Sequence, residues 1–174
     1  MISNGRAIMK VITLIGKTNS GKTSSLKYCF LEMLGSDDFK LIWKSKYFFD
    51  DKEEIKKDIL DNWKTKSQKG VSDISGVFKY KGKHIFIVSI GDSITDIRKQ
   101  LENRLYQYPD IDMFICSRHE EGQIYKELAL RNLTISEIPI IKDRASNPDE
   151  YDCENKKSGK EVFDKIIEVY KALK

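Results

Sequence analysis

The chain has 174 residues, 40% hydrophobic and 33% charged, enough for one well-packed domain and too few for two of ordinary size, so residues 1–174 are expected to form a single unit. Eight Tyr, eight Phe and two Trp beside three Pro and ten Gly exclude a collagenous, low-complexity or disordered chain, and every apolar run falls far short of the roughly 20 residues that span a bilayer, so no membrane partner is expected. The net charge of +4 is mild, but twelve Lys against seven acids put +5 into residues 40–83 and leave −1 elsewhere.

Of the 31 basic residues, 25 are Lys, so the excess consists of mobile point charges more than of guanidinium forks. Residues 1–7 lack the apolar core and cleavage site of a secretory signal. Cys29, Cys116 and Cys153 are odd in number and unpaired in spacing, which argues against a disulfide framework or zinc site and makes a reducing cytoplasm the expected compartment.

In chain order, residues 7–15 form a β-branched apolar run that stops at Gly16 and reads as a buried strand ending in a turn. Residues 22–34 carry Leu26, Cys29, Phe30, Met33 and Leu34 at helical spacing before Gly35. Residues 40–49 read as a strand, and residues 51–69 as a helix with Ile55, Ile59 and Trp63 on one stripe. Residues 74–80 and 84–90 flank Lys81, Gly82 and Lys83 as a β-hairpin. Ile94, Ile97, Leu101 and Leu105 mark a helix ending near Pro109, followed by a short buried strand over 112–117. Ile124, Leu128 and Leu130 predict a further helix, residues 134–141 a strand, and Val162 to Leu173 the final helix. Residues 143–158 remain as one long polar loop. The alternation predicts an α/β fold, a mainly parallel sheet with helices on both faces and one inserted hairpin.

Gly16, Lys17, Thr18, Asn19, Ser20, Gly21, Lys22 and Thr23 fit G-x-x-x-x-G-K-[ST], the P-loop or Walker A pattern. Two glycines let the backbone turn its N–H groups around an anion, and the following helix offers its positive end to the same charge. The Lys22 ammonium is mobile enough to reach β- and γ-phosphates, and the Thr23 hydroxyl is a hard oxygen ligand for Mg²⁺. On this motif, with a strand before and a helix after it, the chain resembles the P-loop NTPase superfamily. The resemblance implies a three-layer sandwich that binds a nucleoside triphosphate with Mg²⁺ through residues 16–24, Ser24 included.

That resemblance also asks for an acid at the end of a neighbouring buried strand. Asp92, after the most hydrophobic strand, is the candidate metal ligand, with Ser89 as an alternative acting through water and helix capping as the competing role of the acid. Hairpin, strand and acid follow one another as in small GTPases, but Thr95 stands where their D-x-x-G has glycine. The guanine-reading N-K-x-D motif is also missing after the next strand, so ATP is favoured over GTP. Arg118 is a candidate transition-state contact at a strand's carboxyl end, against a surface arginine.

Asp50 and Asp51 stand where small nucleoside and nucleotide kinases can carry an acceptor-side carboxylate, against a capping role. Arg144, Ala145 and Ser146 are candidate base neighbours. Three functions follow: slow MgATP hydrolysis that switches a protein partner, phosphoryl transfer to a nucleoside-like or nucleotide acceptor, and nucleotide-dependent regulation of a nucleic-acid or protein complex. The lysine-rich segment could steer a second anionic substrate. It could equally present Trp43, Tyr47, Phe48, Phe49 and Trp63 to nucleic acid, or be a solvated face over core-packed aromatics.

Overall fold

The computed structural model describes residues 8–45, 51–64, 73–89, 94–120, 135–143 and 147–172. Strands β1 (Met9–Ile15), β2 (Phe39–Lys44), β3 (Ser75–Tyr80), β4 (Lys83–Val88), β5 (Ile111–Arg118) and β6 (Ile135–Ile141) build one sheet in the order β2-β3-β4-β5-β1-β6. β4, β5, β1 and β6 run parallel; β3 is antiparallel to both of its neighbours. The described helices are α1 (Lys22–Gly35), α2 (Lys52–Lys64), α3 (Ile94–Gln107) and α4 (Tyr151–Ala172). None of them is long and apolar enough to cross a membrane.

Strand alternation divides the core between the two faces. Ile12 and Leu14 of β1, Ile85 and Ile87 of β4, and Met113 and Ile115 of β5 face α1, α2 and α4, meeting Leu26, Phe30, Met33, Ile55, Val162 and Ile166. The residues between them, Val11, Phe86, Val88, Phe114 and Cys116, pack with Ile97 and Leu101 of α3. A mixed, mostly parallel α/β sheet with helices on both faces, compatible with a three-layer sandwich, is therefore the observed architecture. The apolar spacing read in α1 is the face buried here. The two-residue hairpin turn has positive φ at Lys81 and Gly82, the backbone twist that suits a tight hairpin.

Two boundaries differ from the sequence expectation. Strand β2 ends at Lys44, with a bulge between Leu41 and Trp43; residues 46–50 lie outside the described ones, as does the helix expected around Ile124. The 143–158 segment is not one loop, because a single 3₁₀ turn (Pro148–Glu150) leads straight into α4 at Tyr151. The Asn147 side-chain oxygen accepts from the Asp149 N–H at 3.1 Å, and the Glu150 N–H donates to the Asn147 carbonyl at 3.0 Å. Asn followed by Pro is a helix-start signal, and the acids at 149, 150, 152 and 154 suit the positive end of a helix. This half of α4 looked like a loop because it packs through Asn155, Ser158 and Gly159 and not through large apolar side chains. At Gly159 an added Cβ would lie 2.5 Å from the Ser25 carbonyl oxygen and 2.6 Å from the Tyr28 Cβ, so α1 and α4 cross backbone to backbone there.

Candidate functional site

The carboxyl ends of β1, β2, β4, β5 and β6 all reach one edge of the sheet. At that edge the 16–23 loop joins β1 to α1. Gly16 continues the ladder, its N–H donating to the Arg118 carbonyl at 3.3 Å. The chain then turns through Asn19 at φ 59 and Gly21 at φ 85, left-handed positions that glycine takes without a Cβ penalty. Gly21 caps α1 with no side-chain hydrogen bond, and no acid stands in the helix's first turn. No side chain therefore caps the first N–H groups of α1, where the positive end of the helix dipole lies.

Lys22 is only 4% exposed despite its charge. Its ammonium donates to the Gly16 carbonyl at 3.0 Å and to the Lys17 carbonyl at 2.8 Å, so the side chain folds back across the loop. The Ser20 hydroxyl is buried with no hydrogen-bond partner and lies 2.7 Å from where a Cβ on Gly16 would stand. A buried hydroxyl of this kind costs free energy unless something bonds to it. Lys17, Thr18 and Asn19 are exposed, whereas Thr23 and Ser24 are half-buried in the first helical turn.

One wall of this loop escaped the sequence reading. Lys142, at the end of β6, is 3% exposed. Its N–H donates to the Ile15 carbonyl at 2.7 Å and its ammonium to the Ser158 hydroxyl at 3.1 Å. Burial pushes the Lys142 pKa down, partly offset by the nearby Glu154 carboxylate. Its carbonyl oxygen stands 2.7 Å from the missing Cβ of Gly16, and the Asn155 carboxamide fills the space that a Cβ on Gly21 would take. A lysine closing an apolar strand was a visible signal at 142. Nothing local marks Asn155.

The other candidates are distributed less favourably. Asp50, Asp92 and residues 144–146 lie outside the described residues. β5 stands between β1 and β4, so the strand before Asp92 is not the neighbour of the loop strand and ends about 10 Å from it sideways, at the usual strand spacing. Ser89 is buried, and its hydroxyl accepts from the Ile74 N–H at 2.8 Å, a structural bond that ties β4 to the start of β3. The Asp51 carboxylate accepts from the N–H groups of Glu53 at 2.8 Å and Glu54 at 3.1 Å; it caps α2. Arg118, half-buried at the end of β5, is held by protein partners. Its Nε pairs with Glu137 at 3.2 Å, the two side chains being 14% and 4% exposed, and its Nη1 holds the His119 carbonyl at 3.0 Å.

Among the described residues, neither strand β2 nor the hairpin turn of the lysine-rich segment sits beside the loop. β2 is four strands from β1, about 19 Å away at the usual spacing, and Lys81 and Lys83 stand at the hairpin turn on the opposite sheet edge. The bulge and exposed Lys40 of the edge strand β2 are features that discourage strands from pairing with it. One face of Trp43 is covered by the Arg104 guanidinium, 3.6 Å from the ring centroid, with Phe86 edge-on at 6.4 Å. One face of that indole is therefore taken up by packing. Trp43 and Arg104 border a polar cavity of about 360 Å³ with Ser45, Asp73, Gln100 and Asn103. Among the described residues no cluster of three or more His, Cys, Asp or Glu side chains could hold a metal. Comparison with protein-family models, with curated proteins and with solved structures gives no match to this chain.

Proposed function

We propose that the 16–23 loop binds the phosphates of a nucleoside triphosphate with Mg²⁺, ATP being favoured, and that the protein hydrolyses it slowly as a P-loop NTPase. The observation that carries this reading is the Lys22 ammonium folded over the loop carbonyls beside the unpartnered Ser20 hydroxyl and the uncapped start of α1. A buried cation, an unsatisfied hydroxyl and a helix start with no side-chain cap give the loop electrostatics that suit a polyanion. Thr23 would hold Mg²⁺ through its hydroxyl, and Asp92, which follows β4 in the sequence, is the acid proposed to join it. A metal held there would supply charge neutralisation for the phosphates.

Slow turnover follows from Arg118. With its guanidinium paired to Glu137, Lys22 carries most of the protein's own charge neutralisation, and an added arginine is what commonly accelerates phosphoryl transfer. Calorimetric titration with MgATP tests the site. The wild type should bind, and Lys22→Ala should weaken binding about 10- to 100-fold, the size expected for one charge-assisted contact. Equal affinity of the two proteins rules the assignment out. Incubation with radiolabelled ATP and a panel of nucleosides and nucleotides separates hydrolysis, which yields free phosphate alone, from transfer to an acceptor.

A further inference from the structure

We infer that Asn155 of α4 is a positioning residue for the 16–23 loop, holding it in the anion-binding shape from outside. The inference rests on the triphosphate reading for its ligand and on geometry alone for its structural part.

Gly21 sits in a left-handed conformation with no side-chain hydrogen bond to cap the helix. Glycine moves between positive and negative φ at little cost, so an unsupported glycine here lets the first N–H groups of α1 swing away from a common centre. Two devices oppose this. The internal one is Lys22, which ties the Gly16 and Lys17 carbonyls together. The external one is the wall made by β6 and α4, with the Lys142 carbonyl against Gly16 and the Asn155 carboxamide against Gly21. The Lys142 ammonium to Ser158 bond fixes the height of α4 beside the loop, and the close crossing at Gly159 fixes its distance from α1.

The two devices differ in what happens when an anion arrives. A triphosphate draws the Lys22 ammonium away from the loop carbonyls, because a phosphate oxygen is the stronger acceptor for a cation. The internal tie is given up, and the external wall then carries the loop's shape. Loss of Asn155 therefore loosens the loop in the free protein, where Lys22 alone is left to hold it, and weakens the bound state further, which is the signature of lost preorganisation and not of lost packing.

The test compares Asn155→Ala with Val162→Ala, the latter on the same helix with Val162 fully buried in the core and outside the loop wall. Two readouts are taken on each protein: amide hydrogen exchange of residues 16–23 without ligand, and MgATP affinity by calorimetry. Asn155→Ala should speed exchange in 16–23 more than elsewhere and weaken MgATP binding about tenfold. Val162→Ala should lower the melting temperature while leaving affinity within twofold. The nearly isosteric Asn155→Asp serves as a second variant; it should keep loop exchange slow and weaken binding through its charge. Unchanged loop exchange in Asn155→Ala, or affinity that falls in both alanine variants in proportion to their stability, overturns the inference. If no protein binds MgATP, the triphosphate reading fails, and the exchange comparison still decides whether Asn155 positions the loop.

Discussion

Gly16, Gly21 and Lys22 were legible as one strand-to-helix turn because such a turn is built from consecutive residues, and its spacing is local. Lys142 and Asn155 were not, because they reach the loop from positions more than 100 residues away, through strand register and helix crossing. Arg118 shows the same limit: its place at a strand end was read correctly, but its partner Glu137 lies on β6, which only the sheet order brings near. Another long-range contact has a pH signature. The Tyr28 hydroxyl donates to the Asp152 carboxylate, and that bond, more than neighbouring Lys156, holds the Asp152 carboxyl below its usual range. A depressed carboxylate contributes stability above its unfolded value near 3.9, and the contribution is lost as pH falls through the lower folded value. Tyr28→Phe should therefore reduce stability at pH 7, with the gap to wild type narrowing below pH 4, as read by urea unfolding at both pH values. A gap that stays constant removes the linkage.

At the scale of elements, periodicity located β1, α1, the hairpin, α3 and β5 to within a few residues, since each has an apolar repeat of its own. It missed the first three turns of α4, before Val162, where small and polar residues make the contact. Removing the start signal with Asn147→Ala should cost about 1 kcal/mol, the usual value of a helix cap, measured by thermal unfolding. Gly159→Ala should cost about 1–3 kcal/mol, because a methyl group there meets the Ser25 carbonyl and Tyr28 and forces α1 and α4 apart. If Gly159→Ala raises the melting temperature, as a better helix former does at an open site, the close crossing is wrong.

Across the whole molecule, composition identified a lysine-rich stretch but could not locate it, because sequence neighbours of the loop need not be its neighbours in the sheet. Two strands, β4 and β5, stand between β1 and the hairpin arm β3, and the lysines are spread over both sheet edges. The core assignment has a chemical check. Cys29 and Cys116 are fully buried, with burial as the main cause raising both thiol pKa values, whereas Cys153 is exposed. A disulfide reagent should therefore label the native protein once, at Cys153, and three times after denaturation.

Triphosphate binding at the 16–23 loop is the central claim. Amide NMR of labelled protein titrated with MgATP tests this directly: the largest shifts should fall on residues 16–24, with Ser20 prominent, and smaller ones on Lys142 and Asn155. Shifts confined to the cavity beside Trp43 and Arg104, or absent from residues 16–24 at saturation, would contradict it.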